Sequence, residues 1–170
     1  MNVKKTAIVG MILIAALSRL IPHAPNFTAV GGMALFAGAV LAPTWLALLV
    51  PVSALLLSDL ALGLHETMIP VYGAFILSVL LGQLFLKQKS VGRIGVVTLL
   101  SSVLFFVITN LGVWQLSGLY THDAAGLAQC FTLAIPFFDN QVMGDLLSTG
   151  ALFGLGYLLE KYPLFRSTQA

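Results

Sequence analysis

The sequence predicts an all-helical integral membrane protein, a bundle of six spanning helices. Three observations lead there. Apolar residues make up 59% of the chain and charged residues only 8%. A soluble domain has about 45–50% and about 25%, so too few charges remain here to cover a water-facing surface. The apolar residues gather in runs near the length that crosses about 30 Å of hydrocarbon at 1.5 Å per residue. The cations flank those runs on one side. At 170 residues the chain is one domain, and a net charge of +2 is too small to imply a nucleic-acid partner.

Lys4 and Lys5 precede the first helix, expected over residues 6–21. The second, 29–41, is short and rich in Gly31, Gly32, Ala34, Ala37, Gly38 and Ala39, the composition of a helix packed closely against its neighbours. The third and fourth are expected over 44–64 and 68–86, the fifth over 93–114 and the sixth over 141–160. An apolar piece at 124–138 carries Pro136 and is short for a span, so it is expected as a separate interfacial or re-entrant helix.

With six spans, Lys4, Lys5, Lys87, Lys89, Arg93, Lys161 and Arg166 all fall on one side and only Arg19 on the other. The positive-inside rule then places both termini in the cytoplasm. The basic start, the apolar core and Ala16-Leu17-Ser18 also follow signal-peptide grammar. The apolar run continues past Arg19 to Ile21, which favours a retained helix.

This orientation gathers the polar residues at the outer ends of the helices. Arg19 closes the first helix, and Ser58 and Asp59 lie in the outer third of the third. Tyr72 begins the fourth, Asn110 and Trp114 end the fifth, and Gln141 and Asp145 begin the sixth. Intramembrane charges are costly and normally pair inside a bundle or face a wet cavity. Arg19, Asp59 and Asp145 are therefore expected to meet at one level, with Arg19 as the ion-pair hub of an outward-facing pocket. The rival is a plain structural salt bridge or a snorkelling arginine. Phe106, Asn110 and Trp114 step by four along one face, as do Gln141, Asp145 and Thr149. An amide between aromatics can orient a planar ligand, although Trp114 also suits an interfacial aromatic belt. Gln83, Ser101 and Ser102 are the polar exceptions in the inner halves.

The tight segment Arg19-Leu-Ile-Pro-His-Ala-Pro-Asn-Phe-Thr28 should form the rim, contributing His23 and Asn26. His23 can equally cap a turn. Asn26-Phe27-Thr28 matches a glycosylation sequon, but Thr28 as helix N-cap explains it better. The candidate binding set is thus Arg19, His23, Asn26, Asp59, Tyr72, Asn110, Trp114 and Asp145. The lone Cys130 excludes an internal disulfide and reads as a buried small hydrophobe. No HxxH, HExxH, GxSxG, P-loop or Rossmann pattern occurs, so neither a catalytic group, a metal nor a cofactor is assigned. Energy coupling would have to come from a partner or an ion gradient.

Arg19-x-x-Pro22-His23-x-Pro25-Asn26-Phe27-Thr28, Ala34-Leu35-Phe36-x-Gly38, Ser58-Asp59-x-x-x-Gly63, Asn110-x-Gly112-x-Trp114, Ile135-Pro136-Phe137-Phe138 and Gly144-Asp145-Leu146 resemble an uncharacterised family of small bacterial membrane proteins described as transport proteins. Through that family the chain is similar to the substrate-binding S components of energy-coupling-factor (ECF) vitamin transporters. The resemblance implies outside capture of a vitamin or metal and docking to a membrane coupling subunit with two ATPases. The Ala-x-x-x-Ala docking pattern implied for the first helix is broken here by Met11 between Ala7 and Ala15, and the amino-terminal signature of metal-carrying members is missing.

The expectation is therefore an inner-membrane protein that captures a small organic solute, plausibly a vitamin or precursor. Arg19 stands against Asp59, Glu66, Asp123, Asp139 and Asp145 on the outer side, a field that suits a cation-bearing or donor-rich ligand. The alternatives are a membrane enzyme using Asp59 and Asp145 on a lipid-soluble substrate, a metal-ion uptake component, or a structural partner in a larger complex.

Overall fold

The computed structural model describes residues 3–161; Arg166 and the side chains of Lys4 and Lys5, considered above, lie outside the described part. The described chain is all helical: α1 (Val3–Leu17), α2 (Val30–Val40), α3 (Thr44–Leu62), α4 (Met68–Phe85), α5 (Val91–Leu116) and α6 (Ala124–Lys161). Four of these, α3 to α6, are long and apolar enough to cross a membrane, whereas α1 and α2 are shorter. Ile14, Leu57, Ile69, Val96 and Leu147 are exposed around the outside, a distribution suited to hydrocarbon rather than water.

The helix ends follow local chemistry. α1 stops sooner than expected and runs on as a 3-10 turn, Ser18–Leu20. Ile21 then turns extended (φ −90°, ψ 136°), the conformation forced on a residue that precedes proline, here Pro22. α3 ends at Gly63, whose φ of +108° suits glycine. α5 starts two residues before the expected position because Ser90 accepts the Arg93 N–H at 3.3 Å and caps it. Thr28 does not cap α2: the N-cap is Ala29, without a side-chain bond.

One expectation is overturned. Residues 124–138 do not form a separate short helix; they continue through Pro136 into α6, a single helix of 38 residues. At 1.5 Å per residue that is about 57 Å, well beyond a bilayer core. Membrane helices tolerate proline where neighbours cover the freed backbone. Here the first half of α6 packs along α5, with Phe106 against Phe131 and Phe138 at 5.6 and 4.6 Å between ring centroids.

The centre of the bundle is α2, in which Val30 and Gly32 through Gly38 are all buried. Its small residues set its distance to both neighbours. A Cβ at Gly38 would overlap the Val79 carbonyl of α4, and one at Gly82 would overlap the Leu35 carbonyl of α2. Gly31 and Gly32 meet Asp145 and Ser148 of α6 in the same way. The expected close-packed, small-residue helix is thus present, with the reason visible: backbones touch where side chains would not fit.

Candidate functional site

Chain direction alternates, so α1, α3 and α5 end at the same end of the bundle where α2, α4 and α6 begin. At this end Arg19, just past α1, reaches α3. Its Nη1 donates to Ser58 Oγ at 2.6 Å and lies 2.6 Å from Asp59 Oδ1. Asp59 Oδ1 accepts no directed hydrogen bond, so the contact with Arg19 is charge against charge. The other carboxylate oxygen accepts from Tyr72 Oη of α4 at 2.8 Å. Asp59 is 1% exposed and the Arg19 side chain 17%, which makes this a largely buried pair joining α1, α3 and α4.

Beside the pair lies a cavity of about 500 Å³, within the range of small-molecule sites. Arg19, His23, Asn26, Thr28, His65 and Thr67 line it at the bundle end. Phe75, Ser78, Ser101, Phe105, Gln141 and Asp145 line it at mid-helix positions, and the first turn of α2 contributes Val30 and Gly31. Beyond these lies apolar packing around Met33, Leu35, Phe36 and Val79, with Phe36 edge-on to Phe153 at 5.2 Å. A second cavity of about 630 Å³, bordered by Phe36, Phe153, Ile94, Lys89 and Glu160, opens toward the other end.

Asp145 does not join the Arg19 pair. It is 6% exposed, and its Oδ2 lies 2.6 Å from Ser102 Oγ of α5. Gln141, one turn earlier, donates to the Ser102 carbonyl at 3.0 Å. No described cation pairs with Asp145. The expected convergence of Arg19, Asp59 and Asp145 is therefore corrected to two separate polar centres: an ion pair at the α1–α3–α4 contact and an acid at the α2–α5–α6 contact. Both Arg19 and Asp145 face the same cavity.

Of the other anticipated residues, His23, Asn26 and Asn110 line the cavity, whereas Tyr72 and Asp59 stand behind Arg19. Asn26 holds a left-handed φ of 61°, which asparagine tolerates in a tight turn. His23 Nδ1 lies 2.9 Å from its neighbour's carbonyl, Ala24 O. The Asn110 amide donates to Phe106 O within its own helix at 2.7 Å. Trp114 turns away from the cavity. Its Nε1 donates to Thr121 O at 2.9 Å, and its ring meets His122 edge-on at 5.5 Å.

The expected aromatic–amide–aromatic face of α5 is accordingly rotated. Phe106 packs on α6, and the cavity is bordered instead by Ser101, Phe105, Thr109 and Val113, another row in steps of four. Sequence reading passed over Ser78, Ser101, Ser102 and Phe105. Ser101 and Ser102, the inner-half polar exceptions, form with Ser78 a buried seam in which Ser101 donates to Ser78 at 2.8 Å. Cys130 is buried, with Sγ 3.5 Å from Asn110 O. No group of three or more metal-ligating side chains occurs among the described residues.

Neither a curated protein nor a solved structure matches the chain. Residues 1–166 match a family of unknown function, DUF6580, and the chain belongs to that family.

Proposed function

We propose that this protein captures a small organic solute in the cavity beside Arg19 and Asp145 and supports its passage across a bacterial inner membrane. The observation that carries the reading is the cavity itself. It has the volume of a small-molecule site, mixes apolar walls with charged and amide groups, and is separated by the apolar layer of Met33, Leu35 and Val79 from the second cavity toward the Lys89 end. With Lys89 and Arg93 at the far end, the positive-inside rule supports cytoplasmic termini and an opening to the outside.

The reading extends the similarity to S components of ECF transporters, in which a coupling subunit and ATPases supply the energy. Of the first-helix positions assigned to docking by that resemblance, Ala15 is buried, so a coupling partner would dock on another surface. A carboxylate dyad acting on a lipid-soluble substrate has less support. Asp59 is held by Arg19 and Tyr72, while Asp145 is held by Ser102.

The test is the small molecule that stays with the protein during purification, identified by mass spectrometry. The expected result is one organic compound that disappears from Thr109→Trp, a substitution that fills the cavity from its α5 wall. Retention of no compound by the wild-type protein, or equal retention by Thr109→Trp, would count against capture. Conversion of the compound by the isolated protein would favour the enzyme. Reporter fusions to the carboxyl terminus check the sidedness.

A further inference from the structure

We infer that the Asp145 corner of the cavity is a subsite for a protonated nitrogen, so that the captured solute is an organic monocation. The inference rests on the capture reading above and deepens it.

The charge balance is its foundation. Arg19 and Asp145 are the fully charged residues lining this cavity, with Asp59 behind Arg19 and the two histidines His23 and His65 at the rim. Arg19 is already neutralised by Asp59 at 2.6 Å. Asp145 has no such partner among the described residues, although it is 94% buried and lines the cavity. A buried carboxylate without a counter-cation is costly. The amino end of α2, at Val30 and Gly31, lies on the same wall, but a helix dipole offsets only about half a charge. A protonated nitrogen on the ligand would complete the neutralisation.

The surroundings fit that ligand class. The Ser102 hydroxyl has one hydrogen and two acceptors in range, Thr98 O at 3.0 Å and Asp145 Oδ2 at 2.6 Å. Donated to Asp145, it favours an anionic carboxylate at the cavity wall, where a ligand ammonium can approach it. Phe75 and Phe105, edge to face at 5.8 Å, border the same cavity and can flank the ligand body or its charge. An anionic ligand would meet an uncompensated carboxylate and an arginine that is already paired. A metal ion would find one carboxylate where it needs several oxygen ligands.

The test uses the full-length protein in detergent and three sets of compounds on shared skeletons. Phenethylamine and tryptamine are the cations, phenethyl alcohol and tryptophol the neutral partners, and phenylacetate and indole acetate the anions. Binding is read as ligand-dependent rise in melting temperature. The amines should stabilise the wild type and the other two sets should not.

Asp145→Asn should weaken amine binding by about 10- to 100-fold, the value of a charged hydrogen bond, and Asp145→Glu should keep part of it. Asparagine can still accept the Ser102 hydrogen bond, so the apo melting temperature should change little. Should Asp145→Asn fail to fold, the wild-type preference for amines over alcohols still decides. Equal binding of alcohols or acids, or unchanged amine affinity in Asp145→Asn, overturns the subsite and leaves capture standing. If no set shifts the melting temperature, the subsite is overturned, and the co-purified molecule decides separately whether the cavity captures anything.

Discussion

Removing Arg19 exposes the difference between a structural lock and a binding group. In Arg19→Met, Asp59 stays buried at 1% exposure with only the Tyr72 hydroxyl as donor. Breaking a buried ion pair by deleting one partner costs about 3–5 kcal/mol in soluble proteins, because the survivor is an uncompensated charge. One feature pulls the value toward the low end here: the Arg19 side chain is 17% exposed, so its charge is not fully desolvated. The expected loss for Arg19→Met is therefore about 3 kcal/mol.

Arg19→Met/Asp59→Leu removes both charges and should recover to within about 1 kcal/mol of the wild type, as hydrophobic replacements of buried pairs do. Equilibrium unfolding by a denaturing detergent, followed by helical circular dichroism, measures Arg19→Met, Asp59→Leu and the double variant, and hence the coupling energy. Single losses of about 0.5 kcal/mol or less, as for a surface pair, would refute the reasoning. So would a double-variant loss equal to the sum of the singles. If the double variant is stable yet retains the co-purified solute unchanged, Arg19 is a lock alone.

Other expectations follow from single contacts. Gly82→Ala places a Cβ against the Leu35 carbonyl and should cost about 1–3 kcal/mol as an overpacked contact, whereas Gly154→Ala, with open space at its Cβ, should be neutral or gain up to about 1 kcal/mol of helix propensity. The same unfolding assay separates them; equal losses would contradict the close approach of α2 and α4. Trp114→Phe gives up one hydrogen bond to Thr121 O and should cost about 0.5–1.5 kcal/mol without changing solute retention. Loss of the solute would return Trp114 to the cavity. Asp123, before α6, accepts from the Gly126 N–H at 2.7 Å and the Thr121 hydroxyl at 2.8 Å, which hold its carboxyl below the ordinary 3.8. A lowered folded value stabilises fully above the unfolded one and is lost as pH falls through the folded one. Amide exchange at Gly126 should thus be faster in Asp123→Ala than in the wild type near neutral pH, with the two converging in strong acid. A difference that persists there would contradict this assignment.

Helix positions were largely legible in the sequence because each membrane helix is bounded by the same residues that interrupt its apolar run: Pro22, Gly63, Ser90 and the Lys87–Lys89 cluster. The fusion of 124–138 with the last helix was not legible. A proline rule drawn from water-soluble helices forecasts a stop at Pro136, whereas α6 leans on α5 through Phe131 and Phe138 and continues. For the cavity, depth was readable and rotation was not. Steps of four select Phe106–Asn110–Trp114 and Ser101–Phe105–Thr109 equally well. Only packing decides which row faces inward, and Phe106 finds its partners on α6. Charge scarcity alone gave Arg19 a carboxylate partner but did not choose between Asp59 and Asp145. The placement of Asp145 with Ser102 required knowing which faces α5 and α6 turn to each other.

The length of α2 explains why a cavity exists. Its 11 residues reach about 16 Å, while α5 with 26 residues reaches about 39 Å. The helix that fills the middle of the bundle thus occupies only part of its height. Over the rest, the chain from Ile21 to Ala29 crosses the bundle end as a proline-bounded loop instead of another helical turn or two. What a longer α2 would have filled is the volume bordered by Arg19, His23, Asn26 and Thr28 on one side and by Val30 and Gly31 of its first turn on the other. Gly31 lies where the two arrangements meet. A side chain there would collide with the Asp145 carboxylate, so the bare backbone keeps the acid in place at the cavity wall. The Arg19–Thr28 segment and the small-residue start of α2 form one device: the first stops the central helix short, and the second leaves the buried acid room at the cavity wall.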